Sequence, residues 1–413
     1  MPVLTNKRIL VVNPGPVYPV RAMNQMRTHN MIRTLSRDFK VNLLTPYIDE
    51  ESLDQSNKAM ALTGGKYIPV KSAKHKGNLL RKRINQLSEY LNYYLFGIDK
   101  EVTTNKRNNR KFISIIREGG YRIVISNYWE ASLFFKDLGN DVYKILDPHY
   151  AVGENLSVLQ RFRDRKIKYF FEKRRLDKNL RLEFEVIKAS DLLLPLSQRN
   201  HTEFLKISPD KPMLLIPDGA ELDHYFSFRS TPDPYTILFY GAMGSSQNRG
   251  AFRRLYKNIF PELKKEFPEL KLLVVGSNPP EDIRSLHNGE DIIVTGFVED
   301  VRPWLAKAWL SIIPLELGSG FRGRVIELMA MKIPVAGTHN ALDSIGFENG
   351  KQGFISDSDE DLINFGRRLL RDPSYYKEIS QSACEFVRVN YSIEATFGKL
   401  DEFLKDHLSV GSN

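Results

Sequence analysis

With 413 residues, 42% of them hydrophobic and 27% charged, the chain is too long for one comfortable core and suits two ordinary globular domains. A single cysteine, Cys384, excludes an intrachain disulfide framework, and with no CxxC or paired Cys/His spacing the sequence offers no structural zinc site. The net charge of +10 gathers in two basic runs, Lys71–Arg83 and Arg161–Arg175, which suit either a phosphate-bearing partner or a solvated helix face.

At the N-terminus Lys7-Arg8 precede the apolar run Ile9–Val12, and Asn13-Pro14-Gly15-Pro16 stop it. That run is too short for a signal-peptide core and reads as a first strand, Arg8–Asn13. No run approaches the ~18 apolar residues that a membrane-spanning helix needs. A helix over Asn24–Ser36, with apolar Met26, Ile32 and Leu35 among polar residues, leads to a strand over Phe39–Thr45. Residues 79–118 have helical spacing, and Tyr121–Ser126 and Tyr143–Asp147 are two further short apolar runs.

The rhythm pauses at Asp210–Pro212 and Ser230–Pro234 and then restarts. Strands over Tyr235–Tyr240, Leu270–Val275, Asp291–Thr295 and Leu310–Pro314 alternate with helices over Ala251–Glu266, Pro280–His287, Val301–Ala308 and Gly323–Lys332. Such alternation predicts an α/β fold: two Rossmann-like, doubly wound parallel-sheet domains facing each other across a cleft. The expected division is 1–212, 213–390 and a C-terminal helix, 391–413.

Residues 311–338, SIIPLELGSGFRGRVIELMAMKIPVAGT, carry the most chemical information. A buried strand ends at Pro314, a loop holds Gly318-Ser319-Gly320, and a helix opens near Gly323. Glycines let backbone N–H groups approach a ligand, and the helix N-terminus favours an anion. Arg322 and Arg324 stand at that same end, where cations oppose the helix dipole unless an anion such as a diphosphate joins them. Glu327, in the first turns, suits the vicinal hydroxyls of a ribose; complementing the dipole or pairing with Arg324 three residues away explains it equally well.

This segment resembles the nucleotide-sugar loop of the GT-B glycosyltransferases, particularly family 4 (glycosyl transferases group 1). The resemblance runs through Pro314, Gly318-Ser319-Gly320, Phe321-Arg322, Arg324, Glu327-Leu328-Met329-Ala330 and Pro334-Val335. Phe239-Tyr240-Gly241, Val274-Val275-Gly276, Thr295-Gly296-Phe297-Val298 and Ile216-Pro217-Asp218-Gly219-Ala220 extend it. Two positions depart: Ser319 stands where the family keeps the first of two glutamates, and Ala242 where it keeps an arginine, while Arg249-Gly250 resembles its Lys-Gly. The resemblance implies a donor site of Gly241, Arg249, Phe297, Val298, Gly318, Ser319, Gly320, Phe321 and Glu327. Diphosphate charge then falls on Arg249, Arg322 and Arg324, and Phe297 and Val298 contact the base.

In the first domain, the loop holding Gly15 resembles the family's donor-facing loop, though Gly15 also suits a plain turn. Arg27 looks like an arginine that members carry at the start of the first helix. Both are counted with the donor-binding residues. Leu146-Asp147-Pro148-His149-Tyr150 follows a strand. A histidine or aspartate there matches a polar group near the anomeric carbon, and His149 is able to hold the sugar or to assist proton transfer; a hydrogen-bonded surface histidine is the plain alternative. Glu183 and Glu185 resemble a glutamate of the family's long helix, with Arg181 as a simple partner. Asp357-Ser358-Asp359 reads as a helix cap rather than a metal motif.

The implied activity is transfer of a sugar from a UDP- or GDP-sugar to an acceptor hydroxyl, retaining, with no cofactor and no metal. His149, Arg322 and Arg324 are the catalytic candidates. An epimerase of the same fold, or a non-catalytic nucleotide-sugar-binding protein, is the alternative. Expected partners are the nucleotide sugar and a glycan, lipid-linked or protein acceptor, in the cytoplasm, with no nucleic acid. Lys71–Tyr94 joins a basic cluster to leucines and tyrosines, and either docks on an anionic membrane or packs on its own core.

Overall fold

A computed structural model of the chain describes residues 7–20, 23–47, 49–71, 100–153, 159, 163–228, 232–316 and 323–409. The chain divides into two compact units: one ends at Pro217 and is resumed from Thr396, and the other runs from Asp218 to Ala395.

Among the described residues of the first unit, six strands form one sheet. They are β1 (Arg8–Val12), β2 (Lys40–Tyr47), β3 (Tyr67–Lys71), β4 (Ile123–Asn127), β5 (Tyr143–Asp147) and β6 (Leu192–Leu193), in the order β3-β2-β1-β4-β5-β6. All pairs are parallel, with Ile9 opposite both Val41 and Ile123. Every residue of β4 and β5 is buried, as strands covered on both faces require. Helices α1 (Met23–Leu35), α2 (Glu50–Leu62), α3 (Lys100–Glu118) and α4 (Lys166–Ala189) join them. β3 escapes sequence reading because Pro69 interrupts its pattern; as an edge strand paired only with β2, it can accommodate a residue without an N–H.

The second unit repeats the plan. Strands β7 (Thr236–Tyr240), β8 (Lys271–Val275), β9 (Ile292–Gly296), β10 (Leu310–Ile313), β11 (Val335–Gly337) and β12 (Phe354–Ile355) are ordered β12-β11-β10-β7-β8-β9, again with parallel pairs. After β7 the chain enters the helix Ser246–Arg254, capped by Ser245, and passes through a π-turn, Leu255–Ile259, into the helix Phe260–Glu266. Pro261 accounts for the turn, since its ring and missing N–H cannot continue a regular α-ladder.

The helix Gly323–Ala330 buries Val325, Ile326, Leu328, Met329 and Ala330, which leaves Arg324 and Glu327 together on its remaining side. It stops at Lys332, in the left-handed region at φ 61, ahead of Ile333-Pro334. The final helix, Lys399–Ser409, belongs to the first unit, where Lys405 bridges Asp38 and Asp401 at 2.5 and 2.6 Å.

In each sheet the order reverses beside its first strand, between β1 and β4 and between β7 and β10. Ligands of doubly wound sheets lie outside the carboxyl ends of the strands at such points. Among the described residues no helix is long and apolar enough to cross a membrane. Most of Lys71–Tyr94 lies outside the described residues.

Candidate active site

In the second unit the reversal point lies between the ends of β7 and β10. The chain leaves β7 through Gly241, whose N–H donates to the Val275 carbonyl at 2.9 Å. A Cβ on Gly241 would stand 2.6 Å from Arg324 Nη1 and 3.0 Å from Asn248 Nδ2. Bare backbone here therefore lets the Arg324 guanidinium lie against the strand end, where Nη1 reaches the Tyr240 carbonyl at 3.5 Å. Gly276 makes a second close approach: at φ +156, a Cβ there would meet the Gly241 carbonyl oxygen at 1.9 Å.

Glu327 stands one turn beyond Arg324. Its carboxylate interacts with the phenol hydroxyls of Tyr240 and of Tyr225, on the short helix Asp223–Phe226. Burial pushes the Glu327 carboxyl above its usual range, and the two hydroxyls and Arg324 only partly offset this. Burial, and then the nearby carboxylate, push both phenols up in turn. Among the described residues, the buried Oε2 of Glu327 has no hydrogen-bond partner. A buried acceptor left in that state costs ~1–3 kcal/mol, which a ligand hydroxyl would recover.

The remaining donor-site candidates are distributed around this pair. Arg249 donates Nη1 to the carbonyls of Met243 and Gly244, at 3.1 and 2.7 Å, and so buttresses the loop after β7. Phe297, just past β9, is 75% exposed, a large apolar surface facing solvent, while Val298 packs partly on the core. Gly318, Ser319, Gly320, Phe321 and Arg322 lie outside the described residues.

In the first unit the reversal point is lined by amides. Asn127, ending β4, donates Nδ2 to Asn13 Oδ1 at 3.0 Å and to Thr28 Oγ1 at 2.8 Å. Asn13 in turn donates to the Gly15 carbonyl at 2.7 Å. A Cβ on Gly15 would meet nothing within 4 Å, so that glycine leaves open space over the strand end.

Beyond β5 lies the other first-unit candidate. Asp147 is the last residue of that strand, and His149 follows at φ 62. Tyr128, just past β4, also has positive φ, at 65, and its N–H donates to the Asp147 carbonyl at 2.8 Å. The two rings stack, with centroids 4.0 Å apart. Left-handed backbone at two bulky residues costs ~1–3 kcal/mol each, a strain that marks functional sites. The His149 side chain is 7% exposed, and Nε2 lies 3.6 Å from Asp147 Oδ2, too far for a hydrogen bond. Burial pushes the imidazole down to about 4; Asp147 pulls it up and Arg27 pushes it further down. At neutral pH His149 is therefore uncharged.

Arg27, expected among the donor ligands, lies in the first unit against Asp147. Its side chain is fully buried; Nε and Nη2 donate to Asp147 at 2.8–3.2 Å, and Nη1 donates to the Ile216 carbonyl at 2.8 Å. Glu183 is also buried and accepts from the Val152 N–H at 2.9 Å, tying α4 to the segment after His149, while the surface residue Glu185 pairs with Lys136. In the Asp357–Asp359 run, Ser358 caps the helix Asp359–Arg371, Asp359 takes Arg254, and Asp357 takes His339. Among the described residues, no three His, Cys, Asp or Glu side chains gather as a metal site.

Sequence reasoning missed Tyr225, Tyr128, Asn127 and the pairing of Asp147 with Arg27. Asn127 and Tyr128 had a usable signal, since both directly follow a buried strand at its carboxyl end. Tyr225 had none, because only the tertiary fold brings it to Glu327.

These features are those of the GT-B fold. Sucrose-phosphate synthase from Thermosynechococcus elongatus superposes with a TM-score of 0.68 at 15% identity, covering 98% of this chain and 100% of that one. Anabaena HepE in complex with UDP gives 0.65 at 13%, covering 97% and 100%. A putative UDP-N-acetylglucosamine 2-epimerase from Listeria monocytogenes gives 0.59 at 13%, covering 98% and 97%. A family model described as glycosyl transferases group 1 matches residues 234–372, the span that holds Tyr240, Arg249, Arg324 and Glu327. No curated protein matches the sequence significantly. The chain thus has the GT-B fold, and its residues 234–372 match the glycosyl transferases group 1 model.

Proposed function

We propose that this protein is a glycosyltransferase that moves a sugar from a UDP- or GDP-sugar to an acceptor hydroxyl in glycan or polysaccharide assembly. The observation that carries the reading is the pairing of Glu327, with its unpartnered Oε2, and Arg324 at the opening of one helix, inside the family-matched span. Glu327 accepts the ribose hydroxyls. Arg324, with Arg322 and the Gly318–Gly320 loop, stabilises the negative charge that develops on the leaving diphosphate. Neutral His149 offers a hydrogen-bonding nitrogen to a hydroxyl of the transferred sugar or the acceptor. Retention of configuration goes with the family resemblance, and fixed arginines supply the positive charge without a metal ion. HepE, whose structure contains UDP, makes a uridine nucleotide the first donor to try.

Epimerisation on the same fold is the second reading, favoured by the epimerase among the similar structures. It calls for acidic groups at the first-unit site. Asp147, the carboxylate that ends β5, is engaged by Arg27, which supports transfer instead. The acceptor is proposed as a glycan, a lipid-linked sugar or a protein, met in the cytoplasm, with peripheral contact at an anionic membrane through Lys71–Tyr94 where the acceptor is lipid-linked.

Thermal stabilisation by UDP-, GDP- and ADP-sugars, followed by product analysis with and without acceptor, tests the reading. Stabilisation by one donor, and an acceptor-dependent glycoside, are expected. An epimerised nucleotide sugar formed without acceptor would overturn it in favour of the second reading, and no stabilisation by any donor would remove both.

A further inference from the structure

Arg27 and Asp147 make a buried, two-pronged ion pair beside His149. Such a pair contributes little net stability compared with apolar residues of the same volume, so its place in the core invites a functional explanation. An imidazole next to a lone buried carboxylate normally takes up a proton and forms an ion pair of its own. Here that outcome is blocked. Asp147 Oδ1 accepts from Nε and Nη2 of Arg27, and Oδ2 accepts from Nε at 2.8 Å, whereas His149 Nε2 stays 3.6 Å from Oδ2. Nε2 is buried and has no hydrogen-bond partner among the described residues.

We propose that Arg27 is a positioning residue of the acceptor-side chemistry: by occupying Asp147 it leaves His149 an uncharged ring with one nitrogen free for a substrate hydroxyl. The structure supports this from three sides. Among the described residues, the charged and titratable groups acting on or stacked against the ring are Asp147 on β5, Arg27 on α1 and the phenol of Tyr128 after β4, so the guanidinium opposes the pull of the carboxylate and burial keeps the ring neutral. Stacking on Tyr128, itself tied to Asn24 Nδ2 at 2.8 Å, fixes the plane of the imidazole. Glu183 holds the segment that follows, through the Val152 N–H. A neutral ring can accept or donate a hydrogen bond to a sugar hydroxyl. A ring paired as imidazolium with Asp147 would lack the accepting lone pair and would place a positive charge where the transferred sugar itself develops one. The role assigned to the substrate rests on the glycosyltransferase reading; the charge state of the ring does not.

The test is NMR of the full chain with ring-15N-labelled histidine, with His149→Gln assigning the signal, beside the pH profile of donor turnover. In the native protein His149 is expected to stay neutral well below the ~6.5 of a free histidine. Arg27→Met leaves Asp147 unpaired, so the His149 titration should rise to ~6.5 or above, and turnover should gain an acid limb falling about tenfold per pH unit below it. Arg27→Lys should restore the low titration in part. Should Arg27→Met fail to fold, the charge-free pair Arg27→Met with Asp147→Asn takes its place, and His149 there should again titrate low. A native His149 titrating at ~6.5 or above would overturn the proposal, as would a folded Arg27→Met with unmoved titration, or a charge-free pair in which His149 titrates high. The NMR result stands without substrate, so failure of this inference and failure of the glycosyltransferase reading are told apart.

Discussion

The imidazole of His149 lies 5° from parallel with the ring of Tyr128, and both residues hold left-handed backbone at the ends of adjacent strands. Burial in that stack makes the protonated ring costly and sets a pH dependence of folding. The folded His149 titrates at about 4, below the ~6.5 of the unfolded chain. Between these values the unfolded state binds more protons. The stabilisation is therefore complete above ~6.5 and lost as pH falls towards 4. Its full extent is on the order of 3 kcal/mol. Denaturant unfolding at several pH values should show the native protein losing stability over this window relative to His149→Gln. Parallel curves for the two proteins would show that the ring is not held neutral.

Glu327 is expected to trade stability for binding. Glu327→Ala should weaken nucleotide binding by ~10- to 100-fold, the worth of a charged hydrogen bond, with the fold intact. The carboxyl is raised by burial, so the native protein loses stability as pH rises from the carboxyl's unfolded titration through its folded one. Glu327→Gln should accordingly be as stable as the native protein at acid pH and more stable at alkaline pH. Calorimetry with the donor nucleotide and unfolding at two pH values check both halves. Unchanged nucleotide affinity in Glu327→Ala would show that the ribose lies elsewhere.

Strands rich in Ile, Val and Leu, such as those before Asn13, Asn127 and Gly241, were legible in the sequence because burial on both faces demands unbroken apolar runs. So was the helix opening at Gly323, with its Pro334 stop. β3 was not, since Pro69 masks a strand that edge placement permits. The Arg27–Asp147 pair was also hidden: the sequence places Arg27 at the start of the first helix, and only the tertiary fold presents Asp147 to its guanidinium. Tyr225 reaches Glu327 from a helix about a hundred residues away in sequence, a proximity that no local pattern encodes.

Two glycines near the end of β7 should respond differently to an added methyl group. At Gly241 the nearest atom to a Cβ is Arg324 Nη1, the mobile end of a long side chain. Gly241→Ala should therefore cost at most ~1 kcal/mol of stability while displacing Arg324 and lowering turnover. At Gly276 the obstacle is the Gly241 carbonyl oxygen, and the backbone sits at φ +156. Gly276→Ala should cost ~2–4 kcal/mol, because the backbone itself must move. Thermal unfolding beside donor turnover separates the two. A Gly241→Ala enzyme with native turnover would deny Arg324 its role.

The arginines at the helix opening make the last expectation. Arg324 is the second residue of the helix Gly323–Ala330, where its charge opposes the helix dipole, and its contact with the Tyr240 carbonyl is long, at 3.5 Å. Glu327, one turn on, is the carboxylate beside it, and a cation in that position is set to receive a further anion. Removing it should act on the leaving diphosphate, whose charge grows in the transition state, more than on the bound donor. Arg324→Ala should therefore lower kcat by ~10²–10³ with a smaller change in donor affinity, the scale of losing one preorganised donor to a developing charge. Arg322→Ala, on the neighbouring loop, should act in the same direction. If arginines rather than a divalent cation carry this charge, EDTA leaves turnover unchanged. Activity abolished by EDTA and restored by Mn²⁺ would transfer the role to a metal, and an Arg324→Ala enzyme altered only in KM would reduce that residue to ground-state binding.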